Sequence, residues 1–188
     1  MNRIKPNDSH YPISKLLSLE NTHDGMVQSP EELSKLALAG KQNGLRVHLD
    51  GARLMNAVVN LGVDASDILK DVDSVSLCLS KGLGAPMGTI LAGSKTFIKR
   101  AHRTRKLLGG AMRQGGVMAA AGLFALKNNV KRMTTDHKNA IRLAEQLNQF
   151  KHINVDLDTV QTNMIFFDIK AGIADKLRTH LYQKGIII

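Results

Sequence analysis

Short apolar runs alternate with stretches of helical periodicity along this chain, the pattern of an α/β protein whose sheet is mostly parallel. Leu16-Leu17-Ser18-Leu19-Glu20 reads as a buried strand. Ser29-Pro30-Glu31-Glu32 predicts a helix start: the serine caps, the proline fits the first turn and Glu32 completes a capping box. Leu33, Leu36, Ala37 and Leu38 carry that helix to a stop before Asn43-Gly44. Leu45–Leu49 is a second strand and delivers Asp50 at its carboxyl end. A helix from about Ala52 to Asn60 closes at Gly62, and a short one near Ala65–Lys70 leads to strand Ser74–Leu79, which delivers Ser80-Lys81. Two glycines and a proline within Gly82-Leu83-Gly84-Ala85-Pro86 make that stretch a loop, and Gly88–Ala92 a strand returning from it. Helices are expected over Ser94–Lys106 and Gly116–Asn128, then over a long stretch to Phe150.

The last third changes character. Ile153–Leu157 and Met164–Ile169 predict strands, Ala174–Gln183 a helix ended by Gly185, and Ile186-Ile187-Ile188 the start of a further strand. The pattern therefore divides into residues 1–130, one α/β layer system, and residues 131–188, a long linking helix with an incomplete small α/β domain. The terminal apolar run has nothing obvious to pair with, which suggests a chain cut within that second domain.

Composition narrows the class. With 43% hydrophobic and 22% charged residues, the 188-residue chain has the balance of a soluble globular protein. Its single cysteine, Cys78, excludes an internal disulfide framework and favours a reducing, cytoplasmic setting. Cys78 lies in the apolar run Val75–Leu79 and is expected to be a small buried hydrophobe. The start, Met1 to Asp8, is polar and contains a proline, and no stretch is long enough to span a bilayer, so neither secretion nor membrane insertion is expected.

Net charge is +10, with the densest basic stretch at Lys99–Lys106. It predicts a helix with Phe97, Ile98, Ala101 and Leu108 on its apolar side and a solvated or subunit-facing basic surface. No nucleic-acid recognition motif accompanies the charge and aromatics are only 4%, so nucleic acid is not the expected partner. One reading of a different class stays open: a non-catalytic module that binds an anionic partner through this helix.

Asp50 and Lys81 are predicted at the carboxyl ends of two strands joined by a helical crossover, the edge where open α/β sheets bind ligands. An acid and a lysine there suit pyridoxal phosphate, which needs a lysine for its Schiff base and a carboxylate on its pyridine nitrogen. Spacing alone leaves a structural ion pair equally open.

The literal text is more specific. His48-Leu49-Asp50-Gly51-Ala52-Arg53, Leu79-Ser80-Lys81-Gly82-Leu83-Gly84-Ala85-Pro86 and Gly109-Gly110-Ala111-Met112-Arg113-Gln114 closely resemble low-specificity L-threonine aldolases, of the β-eliminating-lyase branch of the aspartate-aminotransferase-like fold. Ile4–His10 and Leu19–His23 match that family in the same order, so the resemblance covers essentially the whole chain. It implies a three-layer α/β fold, a partial aspartate-aminotransferase-like large domain with an incomplete small domain. It also implies pyridoxal-phosphate-dependent cleavage of β-hydroxy-α-amino acids to glycine and an aldehyde. Another pyridoxal-phosphate lyase or a racemase is the alternative.

By resemblance, Lys81 is the Schiff-base lysine, Asp50 pairs with the pyridine nitrogen, and Ser80 and Arg113 serve the cofactor phosphate. Arg53 grips the substrate carboxylate, Lys106 lies near the substrate, and His10 lies near its hydroxyl. His48 should share the face of Asp50, as its partner or as a core histidine; Asn21 and His23 are weaker candidates, and no metal is expected. Family members are longer. They carry an amino-terminal phosphate loop and ring-stacking histidine, and a carboxyl-terminal arginine, that have no counterpart here. The resemblance therefore implies a fragment, poor in cofactor binding and activity by itself, from a homodimer or homotetramer.

Overall fold

The computed structural model describes residues 4–187. Its first strand, β1 (Leu16–Glu20), is followed by helix α1 (Pro30–Gln42), which begins where the local chemistry dictates. Ser29 Oγ accepts from Glu32 N at 3.2 Å while Glu32 Oε2 accepts from Ser29 N at 3.1 Å, so both partners of the capping box are engaged. Strand β2 (Arg46–Asp50), helices α2 (Leu54–Leu61) and α3 (Ala65–Ile68), and strand β3 (Ser74–Cys78) follow. Gly62 ends α2 in the left-handed region, at φ 65°. Then come strand β4 (Thr89–Gly93) and helices α4 (Lys95–Leu107) and α5 (Gly116–Asn128). Helix α6 (Met133–Leu147), strands β5 (Ile153–Asn154) and β6 (Asp168–Ile169), and helix α7 (Ala174–Gln183) complete the order.

The main sheet has the order β1-β2-β3-β4, with the first three strands parallel and β4 antiparallel to β3. Alternation along the strands assigns its two faces. Leu49, Val75 and Leu77 point into a core shared with Leu33, Leu54, Ala57 and Ile68, and Val47 is buried on the same face. Each buried valine, leucine or isoleucine contributes roughly 1.5–3 kcal/mol by leaving water. Arg46, His48, Asp50, Ser74, Ser76 and Cys78 alternate onto the opposite face and are half-buried or exposed. One face thus holds the sheet together and the other displays its polar groups.

The described residues fall into two compact units, 4–23 with 27–134, and 24–26 with 135–187. The second has a small core of Ala140, Ala144, Val155 and Val160, with Ile165 and Phe167 packed on it. Within it, the buried Thr162 donates its hydroxyl to Gly25 O at 2.7 Å. His137 is also buried, and burial holds its imidazole below the ordinary value near 6.5. The fold therefore keeps this ring neutral, whereas the unfolded chain takes up a proton as pH falls through the ordinary value. His137 costs nothing above that value, and stability falls progressively below it. The unfolding midpoint should drop between pH 7 and pH 5, and His137→Asn should flatten that drop; equal slopes in both proteins would refute the assignment.

Several expectations are corrected. The helix expected from Ala52 begins at Leu54, because Leu54 N first bonds Gly51 O in a turn. The long helical stretch expected after Asn128 starts only at Met133, after a turn at residues 129–132, and ends at Leu147 short of Phe150. The two predicted strands of the last third shrink to two residues each. Asp156 redirects the first into a 3-10 turn, its side chain accepting from Asp158 N. Ile186 and Ile187 form no strand; Ile186 N bonds Leu181 O in the turn at Gly185, and Ile188 lies outside the described residues. Cys78 is half-buried on the polar face, near Thr89 Oγ1 at 3.7 Å, and not in the core. Helix α4 buries none of its residues: Ile98 and Ala101 are half-buried, Phe97 and Leu108 exposed. Among the described residues, no helix is long and apolar enough to cross a membrane.

Candidate active site

The carboxyl edge of the parallel strands gathers three chain segments. Glu20 ends β1, Asp50 ends β2, and Leu79-Ser80-Lys81 follows β3. The ladder continues past the strands: Asn21 N donates to Asp50 O at 3.0 Å and Gly51 N to Ser76 O at 2.9 Å. Asp50 is exposed, and its Oδ1 accepts from Ala52 N at 3.0 Å, which fixes the carboxylate at the head of the turn into α2. Gly51 is the residue that lets this turn pass so close to β3. A Cβ there would lie 2.8 Å from Val75 Cγ2 and 3.0 Å from Ser76 O, so a larger residue would displace the carboxylate. Arg53 caps α2 from a half-buried position three residues after Asp50.

Lys81 stands in a loop closed at its base. Leu79 N donates to Gly88 O, Ala85 N to Leu79 O and Gly84 N to Lys81 O, at 2.9, 3.0 and 2.8 Å. Gly84 and Gly88 turn the chain with φ of 73° and 119°, values that only glycine adopts freely. Leu83 and Ala85 are buried, whereas Ser80 and Lys81 are exposed. The loop and the Asp50 turn meet: Ala52 and Arg53 line one crevice together with Leu77, Cys78, Gly82 and Leu83. Among the described residues, no hydrogen bond or ion pair engages the side chains of Lys81, Ser80 or Arg53. Asp50, Arg53 and Lys81 thus stand on two segments, the turn after β2 and the loop after β3, that border one crevice.

Other predicted residues are placed differently. Lys106 lies in the exposed last turn of α4, and Arg113 in the exposed segment between α4 and α5. Among the described residues, no hydrogen bond or ion pair joins either to the Asp50–Lys81 edge. His10 precedes β1, its ring Nδ1 2.7 Å from Asp8 Oδ1 and its backbone N donating to the same oxygen at 2.8 Å. Those two bonds, the backbone one first, hold the Asp8 carboxyl below the usual carboxylate range. His48 joins two serines of β3, with Nδ1 2.9 Å from Ser74 Oγ and Nε2 3.5 Å from Ser76 Oγ, on the face shared with Asp50. Asn21 is buried and structural, exchanging two bonds with the Gln28 backbone, and His23 Nδ1 pairs with Glu20 Oε2 at 2.9 Å. Beside Asn21, the hydroxyl of buried Thr22 has no hydrogen-bond partner among the described residues.

Sequence reasoning missed the residues that hold the lysine loop from outside the sheet. Asn129 Nδ2 donates to Leu83 O at 2.7 Å and Arg132 Nη2 to Gly82 O at 3.1 Å. The asparagine pair Asn128-Asn129 at the end of α5 is the one local signal that a helix stops there.

The geometry has counterparts. A family model described as beta-eliminating lyase matches residues 1–170. Low-specificity L-threonine aldolase 1 of Arabidopsis thaliana is 48% identical over 95% of this chain and 51% of its own length. The low specificity L-threonine aldolase of Escherichia coli is 45% identical over 99% of this chain and 55% of its own length. A Listeria monocytogenes structure, assigned as an L-allo-threonine aldolase, superposes with a TM-score of 0.79 at 25% identity, covering 95% of this chain and 51% of that one. The sheet is part of an aspartate-aminotransferase-like large domain. The chain spans about half the length of the curated relatives it matches.

Proposed function

The chain belongs to the beta-eliminating lyase family, and from that premise we propose that its protein uses pyridoxal phosphate to cleave L-threonine or L-allo-threonine to glycine and acetaldehyde. The observation that carries the proposal is the unpaired Lys81 amine on a closed loop whose Gly82 and Leu83 line one crevice with Ala52 and Arg53 of the turn after Asp50. The donor set fits the cofactor: an accessible amine for its aldehyde and an ionisable carboxylate for its ring nitrogen. The exposed Ser80 hydroxyl beside Lys81 would serve its phosphate, and Arg113 would have to reach it from the exposed segment between α4 and α5. When bound, the cofactor supplies an electron sink for the bond-breaking step.

The chain's own residues supply orientation and proton traffic. The Arg53 guanidinium binds the substrate carboxylate in a forked geometry that fixes which bond of the α-carbon is aligned for cleavage. Lys106 adds positive charge for the same anion. Asp50 is the carboxylate that would face the cofactor's ring nitrogen. His10 takes the hydroxyl proton; its Nδ1 is turned to Asp8, which leaves Nε2 as the ring atom for the substrate. In this reading the cofactor-binding part is the first compact unit, which runs to residue 134, and the second unit is part of a small domain. The setting is cytoplasmic and the working form a homodimer or homotetramer.

The test is a chimera in which these residues replace the matching span of the Escherichia coli relative. With pyridoxal phosphate and L-threonine it should release glycine and acetaldehyde in equal amounts. The 188-residue chain alone should be weakly active or inactive. A keto acid or an inverted amino acid as product would replace aldol cleavage with another reaction of the same cofactor.

A further inference from the structure

The ends of the Lys81 loop are held by β3 and β4, but its middle is held by the turn between α5 and α6. Asn129, the residue that caps α5, sends its Nδ2 to Leu83 O at 2.7 Å, a bond across 46 positions of sequence. Arg132 sends Nη2 to Gly82 O at 3.1 Å. The two carbonyls that accept these bonds are the two that follow Lys81. Packing closes the remaining freedom: a Cβ on Gly82 would lie 3.3 Å from Met133 Cε and 3.4 Å from Asn56 Oδ1. The neighbouring Asn128 has the same donor chemistry but spends it on its own helix, on Phe124 O at 2.8 Å. Of two adjacent asparagines, one side chain bonds back onto its own helix and the other reaches the lysine loop.

We infer that Asn129 is a positioning residue for Lys81, holding the Gly82–Leu83 backbone so that the amine is presented at a fixed place on the sheet edge. The inference rests on the reading of Lys81 as the cofactor-binding amine. A flexible lysine side chain reaches many places; what makes one of them productive is a fixed backbone at its root, and displacements of an ångström cost large factors in reactivity. Removing the Nδ2 donor leaves Leu83 O without its partner, in a segment whose side chain is fixed in the core. The carbonyl must then swing toward water and carry the adjacent peptides with it.

Three variants of the chimera decide this: Asn129→Ala, Asn129→Asp and Asn128→Ala. Asn129→Asp keeps the shape but sets a carboxylate against a carbonyl. Amide hydrogen exchange at Gly84 and Ala85, both hydrogen-bonded within the loop, should accelerate on the order of tenfold in the two Asn129 variants and stay unchanged in Asn128→Ala. After incubation with pyridoxal phosphate and borohydride, peptide mapping gives the share of adduct on Lys81 against Lys127 and Lys131. That share should fall on the order of tenfold in the Asn129 variants alone. Unchanged loop exchange in Asn129→Asp overturns the inference. So does a uniform rise across all protected amides, α1 included, because that marks general destabilisation. If the unsubstituted chimera shows no preference for Lys81, the cofactor reading falls, and loop exchange still decides whether Asn129 holds the loop.

Discussion

Replacing Lys81 with alanine should lower turnover of the chimera by on the order of a thousandfold or more, the scale expected when a group that handles protons and covalent attachment is removed. The fold should survive. Lys81 is exposed, and among the described residues its side chain makes no hydrogen bond or ion pair, so its removal leaves no buried group unsatisfied. Borohydride-fixed adduct should disappear from the peptide spanning residue 81 while background labelling of other lysines stays constant. Turnover within tenfold of the unsubstituted chimera, with an unchanged melting curve, would remove Lys81 from the reaction. Arginine in its place would be no rescue, since the guanidinium keeps the charge but offers no free amine.

Leu49→Ala should have the largest effect on stability, a loss of about 2–5 kcal/mol. Leu49 is fully buried between His48 and Asp50, so its side chain anchors to the core the strand whose last residue is the site's carboxylate. The lost methyl groups forfeit their transfer energy, and the sheet cannot close over the gap because neighbouring strands fix its backbone. Leu16→Ala makes the comparison: Leu16 belongs to the same sheet but is 57% exposed, and should cost about 0.5 kcal/mol or less. Urea unfolding of both variants measures the difference, and equal midpoints would mean the sheet's packing is misassigned.

What the sequence makes legible follows the range of the interactions. Helix α1 was readable to its first residue because its start is fixed by Ser29, Pro30 and Glu32, all within one turn. The Lys81 loop was readable because glycine and proline exclude a helix whatever surrounds them. Cys78 misled because Val75–Leu79 was read as one apolar run. Its alternation sends Val75, Leu77 and Leu79 to the core, and Ser76 and Cys78 to the other face. The strands of the last third misled for a related reason. Val155, Val160, Ile165 and Phe167 do pack together, but around turns and with only one two-residue ladder, and apolar content cannot tell these arrangements apart.

In the candidate site, the Asp50 turn and the Lys81 loop were legible from their own text. The bond from Asn129 to Leu83 was not. It joins residues far apart in the chain through a backbone carbonyl, which every residue possesses, so nothing in the identity of Leu83 announces it. The serine partners of His48 were hidden in the same way: only the register that sets His48 opposite Ser74 brings them together.

The antiparallel return of β4 makes length itself a constraint. Cys78 is opposite Thr89 in the ladder, so residues 79–88 form a closed span whose two ends cannot move independently. A residue inserted or deleted there must be absorbed as a bulge or as a slip of β4, and a slip by one would turn Ile90 and Leu91 to each other's faces. The exposed segment between α4 and α5 is tied into no ladder and carries no such arithmetic. Substitutions in the lysine hairpin can be judged one side chain at a time, but a change in the number of its residues would rewire the edge of the sheet.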